Sequence, residues 1–155
     1  MNKEIVGLVP VKGKSERVIG KNIRQFHNTT LLELKLKQLS RTKKFANIIV
    51  SSEDLEILQT AKGKGFETHH RDPKFSTSDV PMSDVYSYIA SEITGENIAW
   101  INVTNPLVEA DIYDNAIKLY NDLDHSDDCL LSTVELRENL FYQGKPINFD
   151  RTPWP

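Results

Sequence analysis

The sequence predicts an α/β fold: a three-layer arrangement with a mostly parallel sheet and helices on both faces. Three observations predict it. Short apolar runs recur, at Ile5-Val6-Gly7-Leu8-Val9, Ile48-Ile49-Val50 and Ile98 to Val103. Between them, apolar residues return at helical spacing. Polar loops rich in Gly, Pro, Ser and Asp follow the runs. Strands that alternate with helices in this way pair in parallel through right-handed crossovers.

The elements follow in order. Glu4 to Val9 reads as the first buried strand. A helix begins near Thr30 and places Leu32, Leu36 and Leu39 at i, i+4 and i+7. Asn47 to Ser52 is the second strand, and Asp54 after it suits a helix N-cap. The helix it opens buries Leu55, Leu58 and Ala61 and stops at Gly63 or Gly65. Phe66 to His69 is a short third strand. Arg71 to Val80 is a loop. Met82, Val85, Ile89 and Ile93 then share one helical face, Ile98 to Val103 is a strand, and Ile112, Ala116, Leu119 and Leu123 mark another helix. Cys129 to Val134 reads as a further strand that buries its cysteine. Leu140-Phe141-Tyr142 and Ile147-Asn148-Phe149 flank Gln143-Gly144-Lys145-Pro146 as a hairpin. The division expected is a nucleotide-binding α/β domain over 1–137 and a terminal hairpin or arm over 138–155, a dimerisation segment.

Composition narrows the class. The chain has 155 residues, 39% of them hydrophobic and 26% charged, which suits one globular domain. A net charge of −3 argues against general binding to nucleic acid or to a membrane surface. One cysteine excludes an internal disulfide. No apolar stretch nears 18 residues and no leader pattern precedes the first strand, so the expected location is the cytoplasm.

The basic residues concentrate locally. Lys12, Lys14, Arg17 and Lys21 sit in a glycine-containing loop, Gly13-Lys14-Ser15-Glu16-Arg17-Val18-Ile19-Gly20-Lys21-Asn22, directly after the first strand. In an open α/β sheet this is where phosphorylated ligands bind. Glycine lets the backbone approach an anion, and the cations neutralise a polyphosphate. The loop is not a Walker A motif, because six residues separate Gly13 from Gly20 and Asn22 stands where a hydroxyl is required. Nor is it a dinucleotide fingerprint. Two more polar segments follow strand ends: Arg71-Asp72-Pro73-Lys74-Phe75-Ser76-Thr77-Ser78-Asp79 and Asn102-Val103-Thr104-Asn105-Pro106-Leu107.

Together the three segments resemble the acylneuraminate cytidylyltransferase family, the CMP-sialic acid synthetases, with CMP-Kdo synthetases as cousins. The family's A-R-x-x-S-K-x-(L/I)-x-x-K-N loop is matched by Val11 to Asn22. Its R-P-x-x-(L/F)-(A/S)-x-(S/D) segment is matched by Arg71 to Asp79, and its L-Q-P-T-S-P-L-R segment by Ile101 to Val108. The order and spacing match over essentially the whole chain. The fold implied is Rossmann-like, of the nucleotide-diphospho-sugar transferase type.

The resemblance implies a reaction in which a hydroxyl of a keto sugar acid attacks the α-phosphate of CTP, pyrophosphate leaves and a CMP-sugar forms. It implies catalytic roles for Lys12 and Lys21 at the phosphates. Val11, Gly13, Ser15, Arg17, Asn22, Arg71, Ser78 and Ser83 would bind the nucleotide, with Asn22 on the cytosine or ribose. Asn102 and Thr104 would face the sugar acid, and Asp79 would cap the following helix through Ser83. It further implies Mg²⁺ as cofactor, a homodimer, and CTP and a small sugar acid as partners.

The departures matter too. Lys12 stands where the family has arginine, which keeps the charge without the bidentate fork. Asn102 stands for glutamine and Val108 for arginine. The acidic metal ligands belong to a C-terminal third of the family with no counterpart here, so no residue is assigned to a metal. Asp111, Asp114 and the run Asp124 to Asp128 suit a helix start and a solvated turn. The expectation for this form is weak CTP binding with little turnover, and self-association through the residues after Glu138. The other readings are a relative that binds CTP or CMP without turnover, and another nucleotidyltransferase of the same fold.

Overall fold

A computed structural model describes residues 3–15, 18–124, 128–135 and 140–149. Its main sheet has four strands: β1 (Ile5–Pro10), β2 (Asn47–Ser52), β3 (Glu67–His70) and β4 (Asn97–Trp100), in the order β3-β2-β1-β4. Every pairing is parallel, with Val9 opposite Val50, Leu8 opposite Trp100 and Ser52 opposite His70. The helices are α1 (Leu31–Leu39), α2 (Leu55–Gly63), α3 (Met82–Glu92) and α4 (Ala110–Asn121). The mostly parallel α/β architecture expected from the sequence is present.

Alternation along the strands splits the core in two. Val9, Val50 and Val11 face α1 and α2, where they meet Leu32, Leu36, Leu39, Ile57 and Ala61. Val6 and Leu8 face the opposite way, against Val85, Ile89 and Ile93 at α3. Burying both faces is what parallel strands require, and it is why these runs read as continuously apolar.

Local chemistry sets the helix starts. The Thr30 hydroxyl accepts from the Glu33 N–H at 3.1 Å, and Asp54 Oδ1 accepts from Glu56 N–H at 2.9 Å. Both are N-caps, satisfying amides that a first turn leaves free. A terminal hairpin is present but tighter than expected: the second arm is Lys145–Pro146, and Ile147 to Phe149 are bends and not strand. β5 (Phe141–Tyr142) and β6 (Lys145–Pro146) pair around Gln143-Gly144, with φ of 49° and 76°. Two consecutive positive φ values are those of a type I′ turn, which explains the glycine.

Several expectations are corrected. Cys129 to Val134 is not a strand, and Cys129 is exposed. Apolar sequence alone makes no strand, since a ladder needs a partner edge. β4 ends at Trp100, although Ile101 still donates to Leu8 O at 2.8 Å and Val103 stays buried. Asp79 does not cap α3: the N-cap residue is Pro81, with no side-chain cap bond, and Ser83 Oγ instead donates to Asp84 Oδ1 at 3.2 Å. Leu55 is exposed and α2 buries Ile57 beside Leu58 and Ala61, because Leu55 falls off the inward face of the first turn. Met82 is exposed, as are Ile112 and Leu119, while α4 buries Ile117. The inward face of α4 is Ile117 with the half-buried Tyr113, Ala116 and Tyr120, so the helix is turned about its axis relative to the stripe expected. The 138 boundary, Arg137, Glu138 and Trp154 lie outside the described residues.

Candidate active site

Strand order places the site. The chain runs from β1 to β2 to β3 on one side, then returns to β4 on the other side of β1. The strand order thus reverses between β1 and β4, and in an open α/β sheet such a switch point opens a crevice at the carboxyl ends of the two strands. Leu8 and Trp100 are in register, and a few residues later both strands leave the sheet. β1 enters the Val11 to Asn22 loop, and β4 enters the Asn102 to Val108 loop. The cationic loop and the proposed acceptor loop are thus neighbours by topology.

A carboxylate that the sequence reading did not single out, Glu53, holds the base of the cationic loop together. Glu53 Oε1 accepts the Gly13 N–H at 2.8 Å, while Oε2 accepts from Arg71 at 2.9 Å and from Ser76 Oγ at 2.8 Å. Arg71 also donates to Val11 O at 3.1 Å and to Ser76 Oγ at 2.9 Å. One buried ion pair therefore ties the ends of β1, β2 and β3. Burial by itself would raise the Glu53 carboxyl. The bonds from Arg71, Ser76 and Gly13 outweigh it and hold Glu53 below the usual carboxylate range. Arg71, expected at the nucleotide, is 4% exposed and spends these donors inside the protein.

The other expected nucleotide residues are partly gathered. Val11, expected at the nucleotide, is fully buried; its N–H goes to Ser51 O at 2.8 Å and its O accepts from Arg71, so it shapes the start of the loop from inside. Gly13 has no room for a side chain: a Cβ there would lie 2.5 Å from Asp54 Oδ2. Lys12 Nζ donates to Ser78 Oγ at 3.3 Å, which joins the first and second loops. Asn22 is 6% exposed, and its Nδ2 donates to Lys12 O at 2.9 Å. Its Oδ1 is buried with no hydrogen-bond partner among the described residues. Lys21 and Ser15 are half-buried, and Ser83, Asn102 and Thr104 are exposed. Arg17 lies outside the described residues.

The Asn102 to Val108 loop hangs from α1. Lys35 is fully buried, and Nζ donates to Asn105 O at 2.8 Å, Tyr113 Oη at 2.9 Å and Val108 O at 3.3 Å. Gln38 Nε2 donates to Pro106 O at 2.7 Å and Glu109 Oε1 at 3.2 Å. Burial lowers the Lys35 ammonium, against an opposing pull from Glu109, and pushes the Tyr113 hydroxyl up to about 12. Two signals were available in the sequence. Lys35 falls one turn after Leu32 beside the apolar stripe, and Glu53 directly follows a strand end.

Among the described residues no three Asp, Glu, His or Cys side chains gather as a metal site. Glu53 and Asp54, the carboxylates beside the first loop, are engaged by Arg71 and by the start of α2. A hollow of about 900 Å³ lies elsewhere, along the free edge of β4 between Trp100, Ile117 and Leu130. Its apolar lining does not suit a triphosphate. Among the described residues no helix is long and apolar enough to cross a membrane.

A family model described as cytidylyltransferase matches residues 6–150. No curated protein sequence matches significantly. Among solved structures, the chain is similar to a CMP:2-keto-3-deoxy-manno-octonic acid synthetase complexed with CTP, with a TM-score of 0.65 at 12% identity over 77% of this chain and 48% of that one. It is similar to a cytidylyltransferase from Leptospira borgpetersenii serovar Hardjo-bovis, with a TM-score of 0.60 at 23% identity over 77% and 50%. The bifunctional IspDF from Campylobacter jejuni gives a TM-score of 0.67 at 19% identity over 94% and 37%. The chain spans half or less of the length of these structures.

Proposed function

This chain belongs to the cytidylyltransferase family, and from that premise we propose that it binds CTP and transfers CMP to a hydroxyl of a keto sugar acid, releasing pyrophosphate. The observation that carries the reading is Asn22. Its Oδ1 is a buried acceptor left unpaired, at the end of a loop that holds Lys12, Lys14 and Lys21. A buried unpaired acceptor costs about 1–3 kcal/mol, and a ligand donor relieves that cost. The exocyclic amine of cytosine or a ribose hydroxyl is such a donor.

The chain's own residues have distinct parts in this reading. Lys12 and Lys21 carry charge toward the triphosphate, and Gly13 between them lets the loop pack against Asp54, where a Cβ would not fit. Lys12 is also tied to Ser78, so the first two loops close on the nucleotide together. Asn102 and Thr104 meet the acceptor at the β1–β4 crevice. Preorganised cations matter most for the charge that develops as pyrophosphate leaves. Mg²⁺ and a homodimer belong to the same reading through the family resemblance. The described residues offer no gathered carboxylate set for the metal, so no step is routed through it. Exposed Phe141, Tyr142 and Ile147 support a dimer contact at the hairpin.

The test is nucleotide-dependent melting followed by a pyrophosphate-release assay. CTP should raise the melting temperature more than ATP, GTP or UTP. The stabilisation is RT ln(1+[L]/Kd), about 2.7 kcal/mol at a hundredfold excess over Kd. Release of pyrophosphate with one member of a panel of keto sugar acids supports transfer. Equal shifts with all four nucleotides would remove the base-reading claim. A CTP-selective shift without pyrophosphate release would favour binding without turnover.

A further inference from the structure

Lys35 is the least expected buried residue in the molecule. A lysine ammonium has three protons to donate and no acceptor. Here the three acceptors are Asn105 O, Val108 O and Tyr113 Oη, at 2.8, 3.3 and 2.9 Å. Gln38, one turn further along α1, takes the intervening carbonyl at Pro106 and the Glu109 carboxylate at the start of α4. Three carbonyls of one loop, at positions 105, 106 and 108, are therefore drawn toward a single helix.

Taking a charge out of water is costly, and a methionine would fill the same volume without that cost. The core does not need the charge. The loop does, since its carbonyls have few other partners. Within it only Asn105 N–H to Asn102 O (3.4 Å) and Val108 N–H to Asn105 O (3.3 Å) are made, and both are long. On the other side of the same turn, Asn102 and Thr104 are exposed at the crevice.

We propose that Lys35 and Gln38 are positioning residues. They pull the 105–108 carbonyls into the protein and thereby hold Asn102 and Thr104 toward the acceptor, without touching substrate themselves. The assignment of the acceptor to this loop rests on the function proposed above, but the tethering of the loop does not. The tether works on the β4 side of the crevice only. The nucleotide side has its own anchor in Glu53 and Arg71.

The test is Lys35→Met, with Gln38→Leu as the milder variant should the first fail to fold. Hydrogen–deuterium exchange is read on the full chain. Amides of Asn105, Leu107 and Val108 should exchange about tenfold faster, while those of β2 and α2 stay within about twofold. The melting shift given by CTP should be retained. With a keto sugar acid that supports turnover, its KM should rise about tenfold while KM for CTP stays within about twofold. Unchanged exchange in the loop, exchange raised equally across the sheet, or equal rises in both KM values would each overturn the proposal. If the unaltered protein neither binds CTP nor turns over, the function proposed above has failed, and the exchange profile by itself still decides the role of Lys35.

Discussion

Arg71 and Glu53 form a buried ion pair at 2.9 Å, and the other oxygen of Glu53 holds the backbone N–H of Gly13. The pair joins the loop after β3 to the loop after β1 through the end of β2. It holds the base of the cationic loop, so the loop's shape depends on an ion pair largely withdrawn from solvent.

Arg71→Met should therefore be among the more damaging single changes. It leaves a carboxylate buried beside only Ser76 and the Gly13 amide, at a cost of about 3–5 kcal/mol. Glu53→Gln in the same background should recover part of that loss, so the two changes are non-additive in a double-mutant cycle. Additive losses in urea denaturation would count against the coupling.

The same pair gives a pH dependence. The folded-state value of Glu53 lies below its ordinary one. Its contribution to stability is complete above the ordinary carboxylate range and is lost as pH falls through the lowered folded-state value. Glu53→Gln should be less stable at neutral pH and lose less on acidification than the natural protein. Melting curves across the acid range check this, and parallel pH profiles would contradict it.

Gly13→Ala tests the close approach of loop and helix. The added methyl would meet Asp54, which caps α2. Displacing that side chain or the loop should cost about 1–3 kcal/mol and weaken CTP binding. A variant with natural melting temperature and CTP affinity would show that the loop can step aside.

Lys21→Ala should weaken CTP binding about ten- to a hundredfold, the value of one charge-assisted contact of roughly 1.5–3 kcal/mol. Lys3→Ala is the control, because Lys3 precedes the amino end of β1, opposite the crevice, and its Nζ lies 4.5 Å from the Tyr120 ring centroid. Calorimetric titration that finds both variants alike would reduce the loop to a solvated basic surface.

Cys129 should react stoichiometrically with a thiol reagent in the folded protein, since it is exposed. Labelling that waits for denaturant would restore the buried strand expected from its apolar neighbours.

Local patterns in the sequence determined the parallel α/β layout, the start of α1 near Thr30, the cap at Asp54, a turn within 143–146 and the position of the cationic loop. Each of these rests on contacts between near neighbours or on strict periodicity. Tertiary structure alone decided the rest. Glu53 meets Arg71 across 18 positions, and Lys35 meets Asn105 across 70. No local pattern encodes which distant carbonyl or carboxylate will satisfy a buried charge. Cys129 to Val134 shows the converse, because its apolar residues meet the requirement for a strand, but only a paired neighbour completes one.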